Sequence, residues 1–151
     1  LVIKLEKITA DNLEDVLKLK VSKAQENFVS TTAYSLAQAY VYQENAYPFG
    51  IYADDTLVGF IMFGFYESKN QYTLWKFLID ECHQNKGYGK NALLLGIERM
   101  KEEYNIQEMY TGVSLENEVA ERLYKSVGFQ ITGLVENGMK ELRYVFDKSE
   151  K

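Results

Sequence analysis

The fold is decided by the stretch Phe77-Leu78-Ile79-Asp80-Glu81-Cys82-His83-Gln84-Asn85-Lys86-Gly87-Tyr88-Gly89-Lys90. An apolar run typical of a strand ends here in a polar bend, and from about Asn91 a helix is predicted from its apolar spacing. Gly87 and Gly89 place no Cβ between the backbone and a ligand. A helix start carries unpaired N–H groups and partial positive charge, and the two lysines of the bend add full charges. The bend therefore predicts a cradle for a pyrophosphate group.

Two common nucleotide-binding motifs do not fit this bend. The Rossmann fingerprint requires a third glycine three residues further on, where this chain has Asn91-Ala92 after Lys90. The P-loop requires Gly-Lys followed by Ser or Thr, and the sequence contains no such run. The anion is therefore expected to belong to another class of ligand.

Length and composition indicate one globular domain, which we place at residues 1–151. The chain has 151 residues, of which 46% are hydrophobic and 26% charged. Its net charge of -5 argues against a nucleic-acid surface and is compatible with a cationic small molecule. No apolar run approaches the roughly 20 residues of a membrane span. The lone Cys82 cannot form an internal disulfide and no signal-peptide pattern opens the sequence, so we expect a cytoplasmic protein.

Periodicity and turn residues predict the order strand, two helices, three strands, helix, strand, helix and two strands. Asp11 with Glu14 is typical of a capping box for the first helix, and Pro48 is expected to end the second. Asn137-Gly138 predicts a tight hairpin turn, and Lys148–Lys151 a frayed tail. The strands are expected at residues 2–7, 49–53, 57–66, 72–79, 109–113, 129–136 and 139–146, and the helices from Asp11, from Ser30-Thr31-Thr32, over Asn91 to Tyr104 and over Glu118 to Val127.

This order predicts a mixed α/β fold. A strand–helix–strand unit after the glycine bend brings its two strands parallel, whereas the hairpins are antiparallel. We therefore expect a central, mostly antiparallel sheet of about seven strands with four helices on its faces.

A second constellation lies on the helix before Gly128. Asn117, Ala120, Tyr124 and Val127 share one helix face, because they are three, four and three residues apart. From spacing alone they are either a capping Asn with a core Tyr, or a face that contacts a ligand.

Together the two constellations resemble the Gcn5-related N-acetyltransferase (GNAT) family. Gln84-x-x-Gly87-x-Gly89 resembles the family's acetyl-CoA pyrophosphate motif, and Asn117-x-x-Ala120-x-x-Leu123-Tyr124-x-x-x-Gly128-Phe129 its second cofactor-binding motif. Within the family the chain is most similar to bacterial spermine/spermidine (diamine) acetyltransferases. The residues that carry this finer resemblance are Gln25-x-x-Phe28-Val29, Ser35-Leu36-Ala37-x-Ala39-Tyr40 and Phe77-Leu78-Ile79-Asp80-Glu81.

The resemblance implies direct transfer of acetyl from acetyl-CoA to a primary amine of a polyamine. Tyr124 takes the family's position for the general acid that protonates the leaving thiolate, and its ordinary pKa near 10 keeps it neutral at pH 7. The strand before the bend would splay from its neighbour and hold the cofactor through backbone groups. The implied cofactor-binding residues are Phe77, Leu78, Ile79, Gln84, Asn85, Lys86, Gly87, Tyr88, Gly89, Lys90, Asn117 and Tyr124.

The general base is less well defined by the resemblance. Related polyamine acetyltransferases tend to carry a carboxylate on the strand before the glycine bend, and this position falls on Trp75, beside Lys76. We expect Glu26 and Glu67 to be the first candidates, with Asp80 and Glu81 behind them. Alternatively, the amine loses its proton to bulk water before it attacks.

Cys82 and His83 do not predict a catalytic pair, because adjacent residues of an extended segment point in opposite directions. No His or Cys cluster has metal-ligand spacing, so no metal is expected. The acceptor could equally be an amino acid, an aminoglycoside or a protein N-terminus, or the chain could be a non-catalytic CoA-binding module.

A polyamine would need anionic and aromatic partners, for which Tyr side chains and Trp75 are available. The carboxylates expected to hold its ammonium groups are Glu26, Asp54, Glu67 and Glu81.

The last hairpin of the chain is a candidate interface for a homodimer.

Overall fold

The computed structural model describes residues 1–146, so the predicted frayed tail Lys148–Lys151 lies outside the described residues. It contains seven strands, four α-helices and two short 3₁₀ turns. The strands are β1 (Ile3–Lys7), β2 (Ala46–Ala53), β3 (Thr56–Tyr66), β4 (Gln71–Ile79), β5 (Glu108–Ser114), β6 (Gln130–Glu136) and β7 (Met139–Val145). The helices are α1 (Leu13–Leu17), α2 (Thr32–Val41), α3 (Tyr88–Tyr104) and α4 (Glu118–Val127), and the 3₁₀ turns are Lys23–Gln25 and Glu81–His83.

The seven strands form one sheet in the order β1-β2-β3-β4-β5-β7-β6. Every neighbouring pair is antiparallel except β4 and β5, which are parallel. Helix α3 connects these two parallel strands, as a crossover connection requires. The predicted mixed, mostly antiparallel sheet with four helices is confirmed.

Each face of the sheet has its own hydrophobic core. Along β3, Ile61 and Phe63 pack into the core under α3 and α4, whereas Phe60 and Met62 pack into the core under α1 and α2. All four side chains have no exposed surface. The alternation follows from the period of two along a strand, and it makes β3 the centre of both cores.

The prediction that Pro48 ends the second helix is wrong. Helix α2 ends at Val41, and Pro48 lies inside β2, where it pairs with Met62 of β3. The β1 pairing of β2 ends at Phe49, so no β1 residue lies opposite Pro48. A residue without an N–H donor is tolerated there because that side of the strand has no partner.

Two predicted helix starts also differ from the structure. Asn12 rather than Asp11 takes the N-cap position of α1, and its side chain makes no capping hydrogen bond, so the capping box from Asp11 is wrong. The Asn12 Oδ1 instead accepts from the backbone N–H of Thr9, before the helix, at 2.8 Å. Helix α3 begins at Tyr88, three residues before Asn91, because Gly87 adopts the left-handed conformation that opens the helix. The glycine bend is therefore shorter than predicted, and its last residues belong to the first turn of α3.

Candidate active site

The site begins where β4 and β5 part. Their parallel ladder contains only two residue pairs, Thr73 with Tyr110 and Leu74 with Thr111, although β4 continues to Ile79 and β5 to Ser114. The Thr111 hydroxyl donates to the Leu74 carbonyl at 3.1 Å and closes the ladder. Beyond this point the facing backbone groups of both strands have no partner in the sheet.

A bulge in β4 coincides with the parting. On β3, Met62 pairs with Lys76 and Phe63 pairs with Leu74, so Trp75 is the extra residue of β4. A bulge bends its strand and increases the local twist. The bulge at Trp75 therefore turns the second half of β4 away from β5, as the splay implied by the family resemblance requires.

The parting opens into a cavity of about 450 Å³, which we call the loop cavity. One wall is the second half of β4, and the other is α4 with the end of β5. The glycine bend closes one end and the segment from Val21 to Ser30 covers the side. Of the residues expected to bind the cofactor, all but Lys86 line this cavity.

The glycine bend presents backbone N–H groups at the start of α3. Gly87 caps the helix with φ 81°, and a Cβ built on it would meet nothing within 4 Å. The first intrahelical bond is donated by Asn91 to the Gly87 carbonyl at 3.4 Å, so the N–H groups of the preceding turn have no intrahelical partner. The bend therefore offers free donors, a helix dipole and open space, which together suit a pyrophosphate.

Gln84 of the motif has a structural partner on the cavity wall. Its Nε2 donates to Gln25 Oε1 and to the Ile79 carbonyl, both at 2.8 Å. These bonds tie the bend to the end of β4 and to the 3₁₀ turn that covers the cavity. Gln25 thus supports the site, a role that the sequence pattern did not indicate.

Tyr124 lies at the inner end of the loop cavity. Its side chain is 8% exposed, and burial raises the pKa of the phenol to about 12, with a smaller opposing effect from its hydrogen bond with Thr111. The ring packs against Phe129 with 5.8 Å between ring centroids. A buried phenol with a raised pKa keeps its proton at neutral pH, as a proton donor must. The capping interpretation of this helix face is confirmed, since Asn117 caps α4 by accepting through Oδ1 from the Ala120 N–H at 3.3 Å. Asn117 also lines the loop cavity, and its contact with a ligand stays a prediction.

A second cavity of about 290 Å³ lies on the other side of the parting, and we call it the hairpin cavity. Its walls come from α2, the β3–β4 turn, the middle of β4 and β5, and the β6–β7 hairpin. Six residues line both cavities, so the two cavities lie on opposite sides of β4 and β5 at the point where these strands part. The shared residues are Leu74, Trp75, Lys76, Thr111, Gly112 and Met139.

Trp75 forms much of the inner wall of the hairpin cavity. Its ring packs against Tyr66 at 5.4 Å and Tyr42 at 6.4 Å between ring centroids, and it lies directly over Gly64. A Cβ on Gly64 would come within 1.9 Å of the Trp75 ring, so only glycine fits beneath it. The position where the resemblance to polyamine acetyltransferases suggests a carboxylate is therefore filled by a packed aromatic side chain.

The carboxylates expected from the sequence do not line either cavity. Glu26 is exposed, Glu67 is exposed and accepts from Asn45 Nδ2 at 3.2 Å, and Glu81 pairs with Lys20 at 3.5 Å. The Asp80 carboxylate accepts from two backbone N–H groups, and Asp54, in the β2–β3 turn, accepts from the backbone N–H of Val2. The role of Glu26 or Glu67 as base stays a prediction.

The carboxylates that do line the hairpin cavity, Glu136 and Glu141, were missed. Glu136 lies 4.0 Å from Lys69, and Glu141 accepts from the Thr132 hydroxyl at 2.9 Å. They come from the hairpin around Asn137-Gly138, whose turn the sequence predicted but whose position beside β5 it did not.

Cys82 is a free, exposed cysteine, whereas the neighbouring His83 lines the loop cavity. Within residues 1–146, no group of three His, Cys, Asp or Glu side chains is placed to hold a metal ion. None of the helices in that part of the chain is long and apolar enough to cross a membrane.

A seven-stranded sheet with parting parallel strands, a glycine bend and a buried tyrosine defines an acyltransferase site that uses a CoA thioester. Residues 13–129 match the model of the acetyltransferase (GNAT) family, and the chain belongs to this family. It is an N-acetyltransferase, and acetyl-CoA is the co-substrate of the family.

Among characterised relatives, the chain is similar to the spermine/spermidine N(1)-acetyltransferase of Bacillus subtilis strain 168. The two are 35% identical over 147 residues, which cover 91% of this chain and 95% of that protein. A probable spermine N(1)-acetyltransferase of Bacillus subtilis subsp. natto is 34% identical with the same coverage.

Solved structures show the same fold. The spermidine N-acetyltransferase of Vibrio cholerae in complex with CoA and spermine has a TM-score of 0.76 at 17% identity, and covers 99% of this chain and 98% of its own. The PaiA N-acetyltransferase of Thermoplasma acidophilum in complex with coenzyme A has a TM-score of 0.71 at 20% identity, and covers 97% of this chain and 100% of its own.

Proposed function

We propose that this protein transfers an acetyl group from acetyl-CoA to a primary amine of a polyamine of the spermine/spermidine type. The observation that carries the proposal is the meeting of two cavities at the point where β4 and β5 part. The similarity to spermine/spermidine acetyltransferases supports the choice of acceptor.

In this proposal the loop cavity holds the cofactor. Its pyrophosphate would lie on the N–H groups of the glycine bend, where Lys86 and Lys90 add positive charge. The pantetheine arm would follow the unpaired backbone of β4 from Phe77 to Ile79, with Asn117 on the opposite wall. Acetyl-CoA supplies the thioester whose acetyl group is transferred, and a free N–H group of β4 would donate to its carbonyl oxygen.

Tyr124 is proposed as the general acid. Its phenol is buried at the inner end of the loop cavity, beside residues that line both cavities. When the amine attacks the thioester carbon and the C–S bond breaks, the departing thiolate needs a proton. The raised pKa keeps that proton on Tyr124 at neutral pH, so the phenol is available to donate as negative charge develops on the sulfur of the breaking C–S bond.

The hairpin cavity is proposed to hold the acceptor. Tyr66 and Trp75 give its inner wall an aromatic surface for alkyl chains and ammonium groups. Glu136 and Glu141 lie on its hairpin wall, where they would attract the remaining ammonium groups of a polyamine. The amine of the polyamine that attacks the thioester would then lie nearest the six residues that line both cavities, next to the acetyl group.

The fit of the two Glu candidates for the base is poor. Glu26 and Glu67 both lie outside the cavity walls, so either would have to act through intervening water molecules. Loss of the amine proton to bulk water, the alternative left open by the sequence, requires no such side chain.

Release of CoA thiol from acetyl-CoA tests the proposal directly. Spermine, spermidine, a short diamine, lysine and an aminoglycoside would be compared at matched concentrations. We expect spermine or spermidine to give the highest kcat/KM. Turnover with another amine alone would support acetyltransferase activity but contradict the proposal that a polyamine is the acceptor. Binding of acetyl-CoA with no turnover across the panel would instead favour a binding role.

Two further proposals concern the setting of this activity. A cytoplasmic location is proposed because the single cysteine is an exposed thiol, which suits a reducing compartment. A homodimer through the β6–β7 hairpin is proposed because Ile131, Leu134 and Val135 of the edge strand β6 are 42–53% exposed. Light scattering at several protein concentrations would test the dimer.

A further inference from the structure

The segment that covers the side of the loop cavity, residues 21–30, contains no buried residue. We call it the cover segment. Its residues that line the cavity are Val21, Gln25, Phe28, Val29 and Ser30. Because apolar burial contributes little to holding this segment in place, its position depends on polar contacts.

Both ends of the cover segment are fixed to the fold. Before it, the Lys20 N–H donates to Asp80 Oδ2 at 3.1 Å, and the Lys20 carbonyl accepts from the Glu81 N–H at 2.8 Å. After it, the Thr32 hydroxyl donates to the Val16 carbonyl at 2.8 Å, and Thr32 is 1% exposed. Between these anchors, the position of the chain depends on contacts along its own length.

Two side-chain hydrogen bonds reach the cover segment from residues that line the same cavity. Gln84 Nε2 donates to Gln25 Oε1 at 2.8 Å, and the bond from Nε2 to the Ile79 carbonyl fixes the orientation of the Gln84 amide. Lys76 Nζ donates to the Ser30 hydroxyl at 3.0 Å. One donor lies in the glycine bend and the other on β4, so the segment is tied to both parts of the cavity that would contact the cofactor.

The pairing of β4 directs Lys76 toward the cover segment. Lys76 pairs with Met62, which packs into the core under α1 and α2. Residues that pair across antiparallel strands lie on the same face, so the Lys76 side chain leaves β4 on the side of α1 and α2. There its Nζ also lies 5.4 Å from the centroid of the Tyr34 ring, in the first turn of α2. Burial lowers the pKa of Lys76, so the ammonium loses hydration when it makes these two contacts.

We propose that Lys76 and Gln84 are positioning residues whose hydrogen bonds hold the cover segment over bound acetyl-CoA. This inference rests on the proposed assignment of the loop cavity to the cofactor, and it concerns cofactor binding alone. The apparent affinity for a ligand falls with the fraction of molecules in the binding-competent arrangement. Loss of either hydrogen bond should therefore weaken binding of the cofactor while the general acid Tyr124 stays in place.

Calorimetric titration with CoA tests the inference without any acceptor. Lys76→Met and Ser30→Ala should each raise the Kd for CoA by about three- to tenfold, as expected for the loss of one hydrogen bond. Lys76→Arg keeps a charged donor, so its Kd should stay within about twofold of the wild type.

The double variant shows whether Lys76 acts through Ser30. If it does, Lys76→Met combined with Ser30→Ala should bind CoA no more weakly than Lys76→Met alone. Additive losses in the double variant would mean that the two residues act independently, and would overturn the inference.

Hydrogen exchange of the backbone amides in residues 21–30 gives a readout that does not depend on activity. Exchange there should be faster in Lys76→Met than in the wild type, and bound CoA should slow it. The midpoint of thermal unfolding should not change, because the segment contributes no buried residue.

Lys101→Met is the matched control. Lys101 Nζ lies 5.3 Å from the centroid of the Phe146 ring, a geometry close to that of Lys76 and Tyr34, but Lys101 lines neither cavity. Its Kd for CoA and its exchange in residues 21–30 should equal those of the wild type. An equal loss of affinity in this variant would overturn the inference, since general destabilisation would then explain the result.

The inference and the proposed function fail in different ways. Unchanged CoA affinity and exchange in both Lys76→Met and Ser30→Ala would overturn the inference and leave the proposed function in place. If CoA affinity depends on Lys76 through Ser30 but the wild type does not turn over spermidine, the inference is supported and the proposed acceptor is contradicted.

Discussion

The loop cavity and the hairpin cavity share one wall but offer a ligand different kinds of group. The loop cavity depends on backbone: unpaired groups of β4, the free N–H groups at the start of α3, and the left-handed Gly87. The hairpin cavity depends on side chains that come from α2, β4, β5 and the β6–β7 hairpin. Backbone recognition needs glycines at fixed spacing, whereas side-chain recognition is free to vary while the sheet stays the same. One fold can therefore retain its cofactor while it changes its acceptor.

Tyr124 lies where the two cavities meet, so its loss should have the largest effect. Tyr124→Phe should lower kcat by about 10²–10⁴-fold at saturating substrates, because the leaving thiolate loses its acid. With its pKa at about 12, the wild-type phenol stays protonated, and kcat should not fall on the alkaline side below about pH 11.

Tyr144→Phe is the matched control for this variant. Tyr144 also packs against Phe129, at 5.6 Å between ring centroids, but it lines neither cavity. Its substitution should leave kcat unchanged. Equal kcat values for wild type and Tyr124→Phe would remove Tyr124 from the chemistry.

Gly64→Ala should damage the hairpin cavity more than the loop cavity. The added Cβ would lie 1.9 Å from the Trp75 ring, so the ring must move. We expect the KM for spermidine to rise by about tenfold and the KM for acetyl-CoA to change by less than about twofold. Trp75 is the single tryptophan of the chain, so a shift of its fluorescence emission reports the displacement. A thermal melt establishes that the variant is folded, and a matching loss of acetyl-CoA binding would contradict the separation of the two cavities.

Gly87→Ala should have the smallest effect, and only on the loop cavity. The φ of 81° disfavours a side chain, while the space around the Cβ position is open, so the cost is backbone strain at the cradle. We expect the KM for acetyl-CoA to rise by about three- to tenfold with an unchanged KM for spermidine. Gly138→Ala is the control, since Gly138 has φ 74°, equally open space and a position in the β6–β7 turn that lines neither cavity. If both variants raised the KM for acetyl-CoA alike, general destabilisation would explain the result.

The parts of the fold that depend on local chemistry could be predicted from the sequence. Asn137 and Gly138 both have positive φ in the predicted hairpin turn, and Thr31 caps α2 through its hydroxyl at 3.1 Å from the Tyr34 nitrogen. Gly128 ends α4 with φ 123°. In each case a residue type satisfies a backbone requirement within a few positions of itself, which is what a sequence pattern records.

The parts that depend on sheet pairing could not be predicted in this way. Pro48 has the local properties of a helix breaker, yet its strand is fixed by β3, and only the end of the β1 pairing makes a proline acceptable. The bulge at Trp75 follows from the register between β3 and β4 together with the contact between Trp75 and Gly64.

The same difference applies to the site. Most residues of the loop cavity belong to motifs that are nearly contiguous in sequence, and Tyr124 was singled out by its spacing along α4. The hairpin cavity is lined by Gln38, Thr73 and Glu141, which come from segments more than 30 residues apart, so no spacing rule indicates that they share a cavity. The expectation that Glu26 and Glu67 face the acceptor rested on loop position alone, and neither lines the cavity.

The most direct measurement of the central claim is a crystal structure with a bisubstrate analogue, in which a spermidine nitrogen is joined to the CoA sulfur through an acetyl linker. We expect the CoA part in the loop cavity, the linker beside Tyr124 where β4 and β5 part, and the polyamine chain between Trp75 and Glu141. A polyamine chain that leaves the linker along any path other than the hairpin cavity would contradict the proposed acceptor site.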